Sequence, residues 1–499
     1  MESRHPPQAD SGSQPDPVPS LGRAAGVALR WNGAAALMTL GSQLVQILVL
    51  ARWLTPADFG LAGTVLGVTA FLSALSDLGL TNALVQRDAL SHRAWAGAWW
   101  ASAAAGMVLA VGLAFAAPHL ETSLRMPGTT LLLWAAAFSL PWFGPAAVYQ
   151  AHLQRHLQLK RLASVEIFAA AIGLLVALTW AWWRREPMAL VAGQISLSLA
   201  RFGGLAAASS LRVGQRPHWA ELRALAGFSG FQLAERVASH ALANLDRLVV
   251  ARFLGPAAAG YYYMASQIAL KPTALLGPLT ARTLLPLLAR IRGDRARTAS
   301  SYLRTLSLLS FSAAIVYTLL FGLAAPLVTL VLSAKWQPAV VPLQFLAAAG
   351  FLMVLGNALG NLTLALGRAG TGFWLVVLVL VVRLGAIAVG ATYGLLGVAA
   401  ALLLVTLASL VMDVLLPKLW LGIRIRDLLR AGGWTVPAVL VSGAGMMVLC
   451  NWMRLPALAE TLIGGAVGCA LFALVAVVTQ GARVRASLRE LAEKLVRPL

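Results

Sequence analysis

The sequence predicts an all-α integral membrane protein of about fourteen transmembrane helices, and three observations carry that reading. Of its 499 residues 59% are hydrophobic and only 11% charged, with a mean hydropathy of +0.78, whereas roughly a quarter of a soluble domain is charged. Apolar stretches of about 20 residues or more recur along the chain, the length that crosses a hydrocarbon core of roughly 30 Å. These runs are continuous and rich in Leu, Ala and Val rather than alternating over about ten residues, which points to helices and not to a barrel.

Taken in order, residues 1–29 are expected to form a disordered cytoplasmic tail, because the first twenty are rich in Pro, Ser, Asp and Gln and lack a signal-peptide core. Six apolar segments follow at 30–54, 57–84, 93–117, 128–152, 160–183 and 188–211, forming a first lobe over 30–211. A basic linker, 212–224, leads to a second lobe over 225–417, with segments at 225–254, 257–288, 303–332, 339–366, 371–393 and 395–417. Segment 257–288 is interrupted by Pro272, Pro278 and Pro286, and Gly394 separates two closely spaced runs. A loop at 418–432 precedes a final pair within 433–480, cut at 433–453 and 457–480. Residues 481–499 read as a basic amphipathic helix on the cytoplasmic leaflet, with Val484, Leu488, Leu491 and Leu495 on one face.

Orientation follows from the bias of Lys and Arg towards cytoplasmic loops. With the N-terminus inside, about 26 of the basic residues fall on the cytoplasmic side, about 7 opposite and about 6 within helices. Both termini are therefore expected in the cytoplasm. The net charge of +21 does not indicate a nucleic-acid partner, since its cations punctuate loops instead of clustering on one face. Cys450 and Cys469 lie in or beside the last apolar runs without metal or disulfide spacing, so neither a metal nor a cofactor is expected. There is no GxxxxGK[ST] loop to bind a nucleotide.

The chain carries an internal repeat. Residues 49–61 read VLARWLTPADFGL and residues 249–261 read VVARFLGPAAAGY, so that Arg52, Pro56 and Gly60 recur as Arg252, Pro256 and Gly260. About six helices separate the copies, which makes the two lobes parallel repeats about an axis along the membrane normal, an arrangement found in transporters. Physically the motif is a helix-turn-helix: the arginine ends one helix at its non-cytoplasmic end, the proline starts the next, and the glycine permits close packing.

The stretch LARWLTPADFGL followed by SDLGLTNALVQRD resembles the N-terminal signature of polysaccharide exporters of the Wzx and colanic-acid-exporter type, within the multidrug/oligosaccharidyl-lipid/polysaccharide exporter superfamily. LQRHLQLKRLA at 153–163, NLDRLVVARFLGPAAAGYYYMA at 244–265 and KWQPAV at 335–340 extend the likeness over roughly residues 30–370. His156 stands where an acidic residue is usual, Leu159 where Phe is usual, and Ser333 and Ala334 precede Lys335 where Gly is common. The resemblance implies two six-helix lobes plus a C-terminal helix pair. It also implies flipping of undecaprenyl-diphosphate-linked oligosaccharide, an O-antigen, capsule or exopolysaccharide precursor, from the cytoplasmic to the periplasmic leaflet of a bacterial inner membrane. The expected partners are that lipid-linked oligosaccharide and membrane lipids, with a polysaccharide polymerase and chain-length proteins as candidates, and the chain is expected to be a monomer and not an enzyme.

Ionisable side chains inside the membrane are costly and so are functional candidates. The seventh segment concentrates them. At 100° per residue Arg236 and Arg247 fall about 20° apart, with Gln232, His240 and Asn244 beside them and Glu235 and Asp246 on the adjacent flank. The arc is read as the lining of a central aqueous cavity, its arginines suited to a diphosphate and its amides to sugar hydroxyls; interhelical salt bridges or snorkelling are the structural alternative. Gln267 and Lys271 continue the lining on the eighth segment, and Asn32, Gln43 and Gln46 supply an uncharged face on the first. Asp77, Glu166, Glu235 and Asp246 are the carboxylates available to a coupling ion, with structural pairing as the competing role. Two other functions fit less well. A drug antiporter would favour net acidic cavity residues, and a membrane-embedded glycosyltransferase or polymerase would need a larger extramembrane loop than this chain has.

Overall fold

The computed structural model describes residues 21–80, 84–85, 91–211, 213–214, 219–273, 276, 288, 291, 293–453 and 456–496. Within these, side chains are described except at 21–30, 32, 34, 219–233, 236, 369, 451 and 479–496. The described residues are nearly all helical and include no strand, as lipid demands of any segment that must satisfy its own backbone hydrogen bonds. Among the described residues twelve helical spans, α4 and α5 together counting as one, are long and apolar enough to cross a membrane.

The first set comprises α1 (Leu21–Trp53), α2 (Pro56–Ser76), α3 (His92–Leu124), α4 (Thr129–Ala137), α5 (Leu140–Arg155), α6 (Leu159–Trp183) and α7 (Met188–Ala208). Helix α1 begins at Leu21, inside the expected tail; the run LGRAAGVALR is rich in good helix formers. The predicted segment 128–152 is divided into α4 and α5 by a turn at Phe138 and Ser139, where Pro141 lacks the N–H needed to continue α4 but is tolerated in the first turn of α5.

Helix α8 (Trp219–Ala269) holds the seventh segment and the start of the eighth, and it turns at Gly255, where φ is 78°. Glycine accepts that backbone and Pro256 then opens the second arm. At the matching point between α1 and α2, the turn is made differently. Thr55 caps α2, accepting from the Asp58 backbone N–H at 3.2 Å, while the Asp58 carboxylate accepts from the Thr55 N–H at 2.8 Å. Of the rest of segment 257–288, only parts lie within the described residues, and Pro278 and Pro286 lie outside them.

The second set continues with α9 (Arg295–Gly322), α10 (Val340–Ala365), α11 (Ala369–Ala391) and α12 (Gly394–Leu421), followed by α13 (Thr435–Met453) and α14 (Ala457–Val496). The expected loop 418–432 is largely taken up by the end of α12 and short helical turns at Ile425–Leu428 and Leu429–Gly433. Helix α14 runs to Val496, so residues 481–496 extend the last apolar helix instead of forming a separate one. Gly481 alone costs about 1 kcal/mol of helix propensity, too little to stop a helix followed by Ala, Leu, Arg, Glu and Lys.

Packing repeats with the sequence. In the first set α1 lies on α6, α6 on α7 and α3 on α5; in the second α8 lies on α11, α11 on α12 and α9 on α10. The two sets meet chiefly where α2 runs along α8. Helices α13 and α14 pack on each other and against α9.

Candidate functional site

Between the two sets lies a cavity of about 260 Å³. The first set contributes amides and hydroxyls: Gln43 and Gln46 from α1, Thr69 and Ser73 from α2, and Gln194 from α7. The second contributes Arg247, Tyr263 and Gln267 from α8 and Lys271 just beyond its end. Among the described residues two cations and no carboxylate line it.

Local geometry explains why these side chains converge. Gln43 and Gln46 are three residues apart, and Tyr263, Gln267 and Lys271 are four apart, so each group shares a helix face. Gly255 lies midway between Arg247 and Tyr263 in sequence, and the turn there folds the arms of α8 side by side. The Arg247 guanidinium consequently lies 5.1 Å from the centre of the Tyr263 ring, a cation–π platform, and donates from Nη1 to the Asn244 Oδ1 at 3.4 Å. The ring itself is pressed against the backbone of α2 at Gly63. The Lys271 ammonium donates to the Gln43 side-chain Oε1, a bond that joins the second set to the first inside the cavity.

Of the residues read from sequence as cavity lining, Gln43, Gln46, Arg247, Gln267 and Lys271 meet here. Asn244 is buried behind Arg247, its amide donating to the His240 carbonyl at 2.9 Å. The side chains of Asn32, Gln232 and Arg236 lie outside the described residues. Sequence reasoning missed Gln194, whose only signal was an amide in an apolar helix, and Thr69 and Ser73. Those hydroxyls bond to carbonyls of their own helix, Val65 at 2.8 Å and Ala70 at 2.8 Å, as Ser and Thr do in any membrane helix, so their presence is uninformative.

The carboxylates are held elsewhere. Asp246, on α8, accepts from the Arg383 guanidinium of α11 at 2.9 Å and from the Tyr262 hydroxyl at 2.8 Å. Glu166 accepts from Arg201 Nε at 2.8 Å, and Arg201 Nη2 donates to the Gln150 side-chain carbonyl at 2.8 Å, tying α6, α7 and α5 together. Asp77 is buried at the C-terminal end of α2. Glu235 is half-buried on α8.

A family model described as polysaccharide biosynthesis protein matches residues 49–341. The chain is 26% identical over 390 residues to the lipopolysaccharide biosynthesis protein WzxC of Escherichia coli (strain K12), covering 77% of this chain and 79% of that one. It is 25% identical over 364 residues to the succinoglycan biosynthesis transport protein ExoT of Rhizobium meliloti (strain 1021), covering 73% and 74%. Among solved structures, a lipid II flippase MurJ in an inward closed conformation matches with a TM-score of 0.70 at 13% identity, over 91% of this chain and 99% of that one. An inward-facing multidrug resistance MATE family transporter of the MOP superfamily matches with a TM-score of 0.60 at 14% identity, over 79% and 98%. At such identities these two structures speak to the fold alone.

Proposed function

The chain belongs to the polysaccharide biosynthesis protein family, and from that premise we propose that it flips a polyprenyl-diphosphate-linked oligosaccharide across a bacterial inner membrane by alternating access. The observation that carries the proposal is the chemical polarity of the cavity: both cations, Arg247 and Lys271, stand on the second set of helices, and the first set offers only amides and hydroxyls around the polar half. A headgroup of diphosphate and sugars has the matching polarity, with phosphate oxygens for Arg and Lys and hydroxyls for Gln43, Gln46 and Gln194. Such a headgroup cannot cross hydrocarbon unaided, so a water-filled cavity between rocking lobes is the physical requirement. An organic cation would find no carboxylate among the described lining side chains, which disfavours a drug antiporter.

Two lobes, 30–211 and 225–417, with both arms of α8 spanning the bilayer, bring the proposed count to fourteen spans and leave both termini in the cytoplasm. The lipid tail stays in the bilayer while the headgroup moves, and the chain acts as a transporter, not as an enzyme. The ion that drives the cycle, if one does, would use carboxylates outside the cavity lining.

The test is reconstitution into vesicles holding a fluorescent polyprenyl-diphosphate oligosaccharide in both leaflets, with a glycan-cleaving enzyme added outside. Wild-type protein should make the inner-leaflet pool cleavable, and Lys271→Met and Arg247→Met should each slow this by roughly tenfold or more, the equivalent of one charge-assisted hydrogen bond to phosphate. Wild-type rates in both variants would remove the cationic cavity from the mechanism; no flipping by wild-type protein of any lipid-linked oligosaccharide offered would remove the function.

A further inference from the structure

The two copies of the internal repeat do not merely resemble each other; they pack on each other. A Cβ added at Gly60 would lie 1.9 Å from the carbonyl oxygen of Pro256, and one added at Gly260 would lie 1.7 Å from that of Pro56. The contact is reciprocal, as a two-fold relation between the copies requires, and brings backbone against backbone with no side chain between. It seals the gap between the sets on the face where α1 turns into α2. Gln43 sits about 16 Å along α1 from this turn, at 1.5 Å per residue, so the seam is a floor beneath the cavity.

A third segment crosses that seam. Between α9 and α10, both in the second set, Trp336 is fully buried, stands edge-on to Phe59 of the first set with ring centres 5.1 Å apart, and edge-on to Tyr261 of the second at 6.0 Å. Its indole N–H donates to the carbonyl of Ala51 at 2.9 Å. Beside it the Lys335 ammonium donates to the carbonyls of Arg52 and Leu54 at 3.0 and 2.8 Å. These carbonyls, of Arg52 in the last turn of α1 and of Leu54 just past it, have no partner within the helix and sit at the negative end of its dipole. Ser333, two residues before Lys335, has φ of 104° and ψ of 165°, a backbone region essentially reserved for glycine, and such strain persists only where the surroundings hold it.

We infer that residues 333–339 are a strap, in which Lys335 and Trp336 fasten the second set of helices onto the C-terminal end of α1 and so set how often the seam opens. Opening the far face requires three hydrogen bonds to break and an indole to leave its slot, while relaxation of Ser333 pulls the other way. The strap is thus a strained catch, closed by two side chains and weakened by one backbone torsion. It rests on the alternating-access reading for its role in transport, but its existence is testable without substrate.

The experiment uses full-length protein in vesicles, with Cys450→Ala and Cys469→Ser and a reporter cysteine at the cavity position Ser73. Labelling by a membrane-impermeant maleimide added to the face of the seam measures how often that face is open. Lys335→Met and Trp336→Phe should raise the rate roughly tenfold, and Ser333→Gly, which leaves every named bond in place, should lower it roughly fivefold or more. A thiol cross-link between Arg52→Cys and Lys335→Cys, formed after folding, should block labelling until it is reduced. Equal labelling across Lys335→Met, Ser333→Gly and the cross-linked protein overturns the strap even if flipping is normal. Failure of wild-type protein to flip, with the labelling pattern as stated, would sink the transport function and leave the strap standing.

Discussion

Removing Arg383 tests whether Asp246 is a structural anchor or a coupling group. Asp246 and Arg383 are 3% and 6% exposed, and the carboxylate has two further donors, the Tyr262 hydroxyl at 2.8 Å and the Arg247 backbone N–H at 2.9 Å. Arg383→Met keeps most of the stem that packs between α8 and α11 and deletes the charge. It leaves a buried carboxylate with two hydrogen bonds and no counter-ion, a change that costs about 3–5 kcal/mol when one partner of a buried pair is lost. Tyr262→Phe removes one hydrogen bond to a charged group, about 1.5–3 kcal/mol. Asp246→Asn with Arg383→Met removes both charges and should recover much of the first loss, because a buried pair replaced whole is often close to neutral. Heat unfolding in detergent, followed by a thiol-reactive dye at the buried Cys450 in a Cys469→Ser background, measures all four proteins. Since the pair joins two helices of the same set, it need not break as the sets rock, and the folded fraction of the double variant should still flip its cargo. Arg383→Met as stable as the parent, or a double variant no more stable than Arg383→Met alone, would refute the anchoring role.

Two smaller perturbations probe the seam and the cavity. In Gly60→Ala the new methyl would meet the Pro256 carbonyl at 1.9 Å, so the copies must part by more than about 1 Å; overpacking of this kind costs about 1–3 kcal/mol, and maleimide labelling of the cavity from the seam face should rise. Tyr263→Phe keeps the platform under Arg247 and should flip near the wild-type rate, whereas Tyr263→Leu removes the ring face, about 0.5–2 kcal/mol of cation–π attraction, and should slow flipping severalfold in the vesicle assay.

How much of this was written in the sequence depends on the range of the interaction. Helix positions were legible because crossing hydrocarbon is a local demand on length and apolarity, and the twelve apolar helices each fall on a predicted segment. The seventh and eighth segments are not among the twelve, and much of both lies outside the described residues. Arg247, Asp246, Tyr263 and Gln267 lower their hydropathy, and those side chains are tolerated because they face a cavity or a buried partner instead of lipid. The same rule made Gln43, Gln46, Arg247, Gln267 and Lys271 visible as candidates. Pairing was not visible: Asp246 and Arg383 are far apart in the chain, and nothing in either helix marks the other as its partner. The turn at Phe138 and Ser139 has a local mark in Pro141, but the apolar run continues through it and so reads as one segment.

The repeat shows where local reading stops being enough. Arg, Pro and Gly at a spacing of four residues announce a helix-turn-helix, and both copies form one, by a Thr55–Asp58 capping box in the first and a left-handed Gly255 in the second. The glycines also announce close packing, but not against what. Two parallel copies related by an axis between them must bring equivalent points together wherever they meet, so the partner of Gly60 follows from the symmetry and not from its neighbours: it is the turn of the other copy. That explains why the motif keeps glycine at both 60 and 260 while Thr55 and Gly255, which serve only their own turns, differ. Lys335 and Trp336 stand outside that reciprocal glycine contact. The strap departs from the two-fold relation, as do the described cavity cations, both of which stand on the second set, and a duplicated scaffold becomes directional only through residues that are not duplicated.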